Sequence, residues 1–150
     1  MTVQDFPHHY VVAASAKADS NVQLASPGVP NIESAGPAEF GGPGDRWSPE
    51  TLLVASVADC FILSFKAIAR ASKMEWVSLT CDVVGDLDRV EKVTQFVKFN
   101  VRATLVVPET TDEGKALRLL DKAERSCLIT NSLIADSHLE AEVRVSGLAG

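Results

Sequence analysis

The chain predicts an α+β fold, with antiparallel strands packed on one long buried central helix, and three observations carry that prediction. Residues 52–69 are apolar on nearly every face, while the segments on either side alternate apolar and polar residues with the period of strands. The order of elements is strands, buried helix, strands, helix, strand, which is that of an α+β domain rather than of repeated βα units. At 150 residues, 46% of them hydrophobic, residues 1–150 hold enough apolar material for the core of a single domain.

Each element has a local cause. Residues 10–16 and 21–25 read as strands flanking Lys17, Ala18, Asp19 and Ser20, whose small and polar side chains suit a hairpin turn, and 30–34 adds an edge segment. Residues 36–44, GPAEFGGPG, form a glycine- and proline-rich loop without regular structure. A helix start follows. Ser48 is the expected N-cap, Pro49 takes the first helical position, and Glu50 places negative charge at the positive end of the helix dipole. This helix is predicted to run from Pro49 to about Ser72.

The positions of Leu53, Val57, Phe61, Leu63 and Phe65 leave little of the helix for water, so other elements must wrap it. One short chain has limited material for that, and a second copy is expected to supply part of the cover as a homodimer.

Beyond the helix, Val77, Leu79, Cys81 and Val83 alternate with Ser78, Thr80 and Asp82, and Val97 to Val107 repeats the pattern, predicting two strands with one wet face. Thr110 and Glu113 form a capping box for a helix whose apolar positions Ala116, Leu117, Leu120 and Ala123 continue to about Glu124. Ser126 is then expected to cap a short helix over 127–135. A strand over 138–145 closes the chain, with Leu139, Ala141, Val143 and Val145 on one face.

Charge and composition exclude several classes. A formal net charge of −6 with no basic block argues against nucleic acid or an anionic membrane surface as the main partner. Residues 1–10 hold neither Lys nor Arg, and no secretory core follows them. The most apolar run, 52–63, contains Asp59 and falls short of the roughly 20 residues that a membrane span needs. Three cysteines, an odd number without a CxxC pair, fit neither a secreted disulfide framework nor a zinc site, so cytoplasmic thiols are the expectation. His8, His9 and His138 form no ligand set of workable spacing, and no metal or other cofactor is expected.

The cysteines themselves point to chemistry. Cys60 lies inside the apolar helix, where its sulfur is expected to be dry, and Cys127 directly follows the charged stretch Lys122 to Arg125, where Arg125 and a helix N-terminus are expected to favour a thiolate. Thiols in two such different settings are the equipment of reversible oxidation. Cys81, on the apolar face of a strand, is assigned to the core.

Two stretches resemble a known family. GGPGDRWSPETLLVASVADCF, residues 41–61, and DKAERSCLITNSL, residues 121–133, are similar to the two cysteine motifs of the OsmC/Ohr family of thiol-dependent peroxidases. The resemblance implies an intertwined homodimer with active sites at the subunit interface. By motif position it makes Cys60 the peroxidatic cysteine, which reduces an organic hydroperoxide, and Cys127 the resolving cysteine, which closes a disulfide that a dithiol or a lipoylated protein reopens. It also implies that Glu50 orients the cation that activates Cys60. The family takes that cation from an arginine of the N-terminal hairpin, whereas residues 1–45 here contain none; Arg46 and Lys17 are the substitutes within the sequence. An intact helix separates Glu50 from Cys60 by roughly 15 Å, so Glu50 is expected to serve the Cys60 of the other subunit, or a long cationic side chain to span part of that gap.

Blander readings stand beside these. Cys60 could be a small buried hydrophobe, Glu50 a plain helix-start charge and Arg46 a solvated loop residue. Phe40 and Trp47 either line an apolar substrate entry or anchor the loop. A dimer of the same fold without catalysis, binding a small molecule, or a slow redox sensor, are the alternatives to the enzyme.

Overall fold

The computed structural model describes residues 3–147, in two compact units that part between Leu52 and Leu53. The first holds strands β1 (Ala13–Ser15), β2 (Val22–Ala25) and β3 (Ile32–Ser34) in an antiparallel sheet of that order. The hairpin turn forms where expected: Ser20 donates its N–H to the Lys17 carbonyl at 3.2 Å and accepts the Lys17 N–H on its hydroxyl at 2.8 Å. β1 is shorter than the predicted 10–16. Pairing starts at Ala13 opposite Ala25, because β2 runs into Ser26 and Pro27, and Pro27 has no N–H to extend the ladder.

The glycine loop is pinned at both ends. Ala35 donates to the Trp47 carbonyl at 2.9 Å, and the loop carries a single 3-10 turn at Ala38–Phe40. A Cβ at Gly42 would collide with the Gly36 carbonyl, so the close approach of these two backbones requires glycine there. Helix α1 (Pro49–Ala71) starts as predicted. The Ser48 hydroxyl accepts the Thr51 N–H at 3.1 Å and Thr51 Oγ1 accepts the Ser48 N–H at 2.9 Å, a reciprocal cap built with threonine.

In the second unit, Val57, Phe61, Phe65 and Ala69 recur every four residues on α1 and are at most 1% exposed. That stripe packs with Phe99, Val101, Ala103, Leu105 and Val107 of β5 and with Ala116, Leu120 and Ala123 of α2. By length and composition α1 is apolar enough to cross a membrane, more so than the run 52–63 suggests, but this buried stripe is that of a core helix. On its other face Leu63 is 57% exposed among the described residues. The helix stops where Lys73 adopts a left-handed φ of 55° and Met74 donates back to the Ala69 carbonyl at 3.0 Å.

β4 (Ser78–Val90) and β5 (Val93–Val107) form one long antiparallel hairpin, where the sequence reading sees two shorter strands. The alternation fades through Gly85, Asp86 and Asp88, where the register shifts between Asp86 and Leu87, and a two-residue turn at Glu91 and Lys92, both with positive φ, closes the hairpin. β6 (Asp136–Val145) joins β5 in parallel, Ala103 opposite Ala141, so this sheet is mixed and the expected antiparallel pairing holds for β4–β5 and the first sheet. The parallel join needs a crossover, which α2 (Glu113–Arg125) and α3 (Leu128–Asn131) provide.

Two helix boundaries differ from expectation. Asp112, not Thr110, caps α2 by accepting the Gly114 N–H at 3.0 Å, while the neighbouring Thr111 hydroxyl is drawn to the Glu75 carbonyl. α2 then buries Leu119 and leaves Leu117 40% exposed. Ser126 closes α2 instead of opening α3: its hydroxyl bonds back to the Lys122 carbonyl at 2.8 Å, which leaves Cys127 as the N-cap of an α3 of four residues rather than a helix over 127–135.

A candidate thiol site

Cys60 sits on α1 between Asp59, which is exposed, and Phe61, which is buried. Its sulfur lies 3.9 Å from the Ser64 hydroxyl, one turn on, and is partly open to solvent. Cys127 enters from the α2–α3 joint and is 2% exposed. The two thiols are neighbours, near enough for Cys60 to help raise the Cys127 thiol. Within the chain, then, the dry sulfur is Cys127, and Cys60 is the accessible one.

Burial pushes the Cys127 thiol up from its ordinary pKa. The amide and hydroxyl of Thr130 oppose that rise, and the adjoining Cys60 adds to it. This corrects the expectation of an Arg125-assisted thiolate: the Arg125 guanidinium is exposed and pairs with Asp121 at 3.0 Å, while α3 is a single turn with little dipole.

The joint holding Cys127 is tied on both sides. Cys127 donates its N–H to the Glu124 carbonyl at 3.2 Å, the Thr130 hydroxyl bonds the Cys127 carbonyl at 3.2 Å, and Asn131 reaches back across it to the Arg125 carbonyl, also at 3.2 Å. The Glu124 side chain accepts from Ser137 at 3.1 Å, fixing the end of α2 to β6. Burial raises the Glu124 pKa, Asp121 adds to the rise, and Ser137 and His138 counter it. Sequence reasoning names none of Glu124, Asn131 or Ser137 as functional, and Thr130 and Asn131 were visible only as the Thr-Asn that follows the second cysteine.

Cys81 faces the core as expected. Its thiol is pushed up to about 12 by burial first, then by Asp82 and by the proximity of Cys127. It stays protonated at any ordinary pH.

Among the described residues, Glu50 Oε1 is buried without a hydrogen-bond partner, which marks it as an acceptor awaiting a donor. Arg46 is turned to other carboxylates, Glu33 at 3.6 Å and Asp45 at 3.4 Å. Lys17 stands exposed at the hairpin turn. Phe40 and Trp47 are 64% and 53% exposed. No cluster of His, Cys, Asp or Glu among the described residues could hold a metal ion. What the site brings together is a reachable thiol and a buried one as neighbours.

Comparison with known proteins places the fold. A family model described as OsmC-like protein matches residues 42–142, which include both thiols. The uncharacterized protein YmaD of Bacillus subtilis is 27% identical over 93% of this chain and 97% of its own. Among solved structures, an OsmC-like protein of unknown function from Vibrio cholerae superposes with a TM-score of 0.83 at 20% identity, covering 90% of this chain and 99% of that one. An organic hydroperoxide resistance protein from Legionella pneumophila superposes at 0.71 and 22% identity, covering 93% and 100%. At these identities the likeness to the solved structures is one of fold.

Proposed function

The chain belongs to the OsmC-like protein family, and from that premise we propose that it is a thiol-dependent peroxidase reducing organic hydroperoxides through a Cys60–Cys127 disulfide cycle. The carrying observation is the adjacency of a solvent-reachable thiol and a buried one. The Cys60 thiolate attacks the outer oxygen of the hydroperoxide, the O–O bond breaks, and the alkoxide leaves, taking a proton from water to become the alcohol, as Cys60 becomes a sulfenic acid. Cys127 then attacks that sulfur, a disulfide forms and water is released. A dithiol, free or carried by a lipoylated protein, returns both thiols. The reading places the protein in the cytoplasm, where such reductants keep thiols reduced.

The proposed assembly is a homodimer, supported by the uncovered apolar face of α1 around Leu63. In it Glu50 holds the activating cation for the Cys60 of the second copy, which would give its orphaned oxygen a donor. Arg46 is the cation this reading assigns. Its present ion pairs are long and solvent-exposed, Arg46 itself at 41%, and pairs of that kind are worth at most about 1 kcal/mol, so a buried carboxylate can compete for it.

Loss of cumene hydroperoxide on adding reduced protein, abolished by Cys60→Ser, is the expected result, and no loss with the natural chain contradicts the enzyme. In that event the engagement of Arg46 with Glu33 and Asp45 favours the second reading, a non-catalytic dimer of the same fold that binds a small molecule or senses oxidation without turnover.

A further inference from the structure

We infer that the reductant enters this cycle at the Cys60 sulfur and that Cys127 is the sulfur expelled. This deepens the proposed disulfide cycle and rests on it for its physiological meaning, but not for its test. Thiol–disulfide exchange requires the attacking sulfur to approach one of the two disulfide sulfurs directly, so access decides which one is attacked. Cys127 is 2% exposed within a single chain, and assembly with any second copy can only add cover. Cys60 is partly open, and the opening that must admit a hydroperoxide to it also admits a thiolate.

The turn carrying Cys127 is held shut on both sides, by the Cys127 N–H on the Glu124 carbonyl and by Asn131 on the Arg125 carbonyl. Exposing Cys127 to attack therefore means breaking both of these hydrogen bonds. Burial also makes Cys127 a sluggish leaving group, and the amide and hydroxyl of Thr130 beside it offset part of that handicap.

The step balances. A reductant thiolate bonds to Cys60 Sγ, the bond between the two cysteine sulfurs breaks, and its electron pair leaves on Cys127 Sγ, which takes a proton from water. The second thiol of a dithiol then attacks the mixed disulfide at the reductant's sulfur, Cys60 leaves as thiolate, and the reductant departs as its own disulfide.

The test forms the disulfide with diamide, so that it does not depend on peroxidase activity. The oxidised full-length protein is pulsed with 2-mercaptoethanol, quenched in acid within the first tenth of the reaction and alkylated with N-ethylmaleimide. Trypsin separates the three cysteines into peptides 47–66, 74–89 and 126–144. Mercaptoethanol on 47–66 and maleimide on 126–144, in at least tenfold excess over the reverse, is the expected pattern. An even split, or mercaptoethanol on 126–144, overturns the inference. Failure of diamide to link Cys60 and Cys127 overturns it together with the disulfide cycle. The expected pattern in a protein that consumes no hydroperoxide leaves the inference standing and removes only the peroxidase.

Discussion

The thiols of Cys60 and Cys127 meet from different elements, one on the central helix and one at the N-cap of a single helical turn, and the resolving candidate is the more deeply buried. Adjacency of this kind favours capture of one oxidised sulfur by the other. Cys127→Ser is therefore expected to keep one round of peroxide reduction and lose turnover by about a hundredfold or more, since the sulfenic acid on Cys60 is no longer captured. A dimedone adduct on peptide 47–66 of that variant, absent from the natural chain under the same dose, checks it.

Cys81 is expected to stay chemically silent. With its thiol held at about 12 against an ordinary 9.0, it carries roughly several hundredfold less thiolate near pH 8.5 than an unperturbed cysteine. Iodoacetamide should therefore modify peptide 74–89 only after the protein unfolds. The sign for stability follows from the raised value: the contribution is whole below pH 9.0 and is lost as pH climbs toward about 12, because the unfolded chain ionises first. Chemical denaturation across that range should show the margin of the natural chain over Cys81→Ala shrinking as pH rises.

Glu124 has a raised pKa as well, so ionising it in the folded protein costs more than in the unfolded chain. Its contribution is present below the ordinary carboxylate value and falls away as pH rises through the folded value. Gln at this position keeps an acceptor for Ser137 without the charge. Glu124→Gln should therefore gain thermal stability relative to the natural chain between pH 4 and 7, with the gain growing as pH rises. A melting temperature that falls on this substitution at pH 7 contradicts the assignment.

Lys73 ends α1 in a conformation that suits glycine. Lys73→Gly relieves a left-handed strain and should stabilise the chain by about 1 kcal/mol, seen as a raised midpoint in urea at unchanged slope.

Much of the fold is legible in the sequence because local chemistry fixes it. Ser48 and Pro49 set the start of α1 without distant partners, whereas packing on β5 and α2 decides which of its many apolar residues, Val57, Phe61 and Phe65 among them, form the buried stripe. Less legible is whatever depends on competition between neighbours. Thr110 has the sequence of a cap, yet Asp112 wins the role while Thr111 bonds to Glu75, a choice made by tertiary proximity. The direction of β6 is likewise invisible to alternation, which reports faces and not polarity. Of the site, the two cysteines can be found from their motifs, whereas the reversal of their burial depends on the α2–α3 joint. The expectation for Arg125 fails because Asp121, one turn earlier, holds it in solvent.

The central claim meets its most direct test in the mass of the protein after one equivalent of cumene hydroperoxide. A loss of two hydrogens, traced to a disulfide joining peptides 47–66 and 126–144 and reversed by a dithiol, is the predicted result. Persistent free thiol on both peptides after the peroxide is supplied, or oxygen retained on Cys60 with Cys127 unchanged, would contradict it.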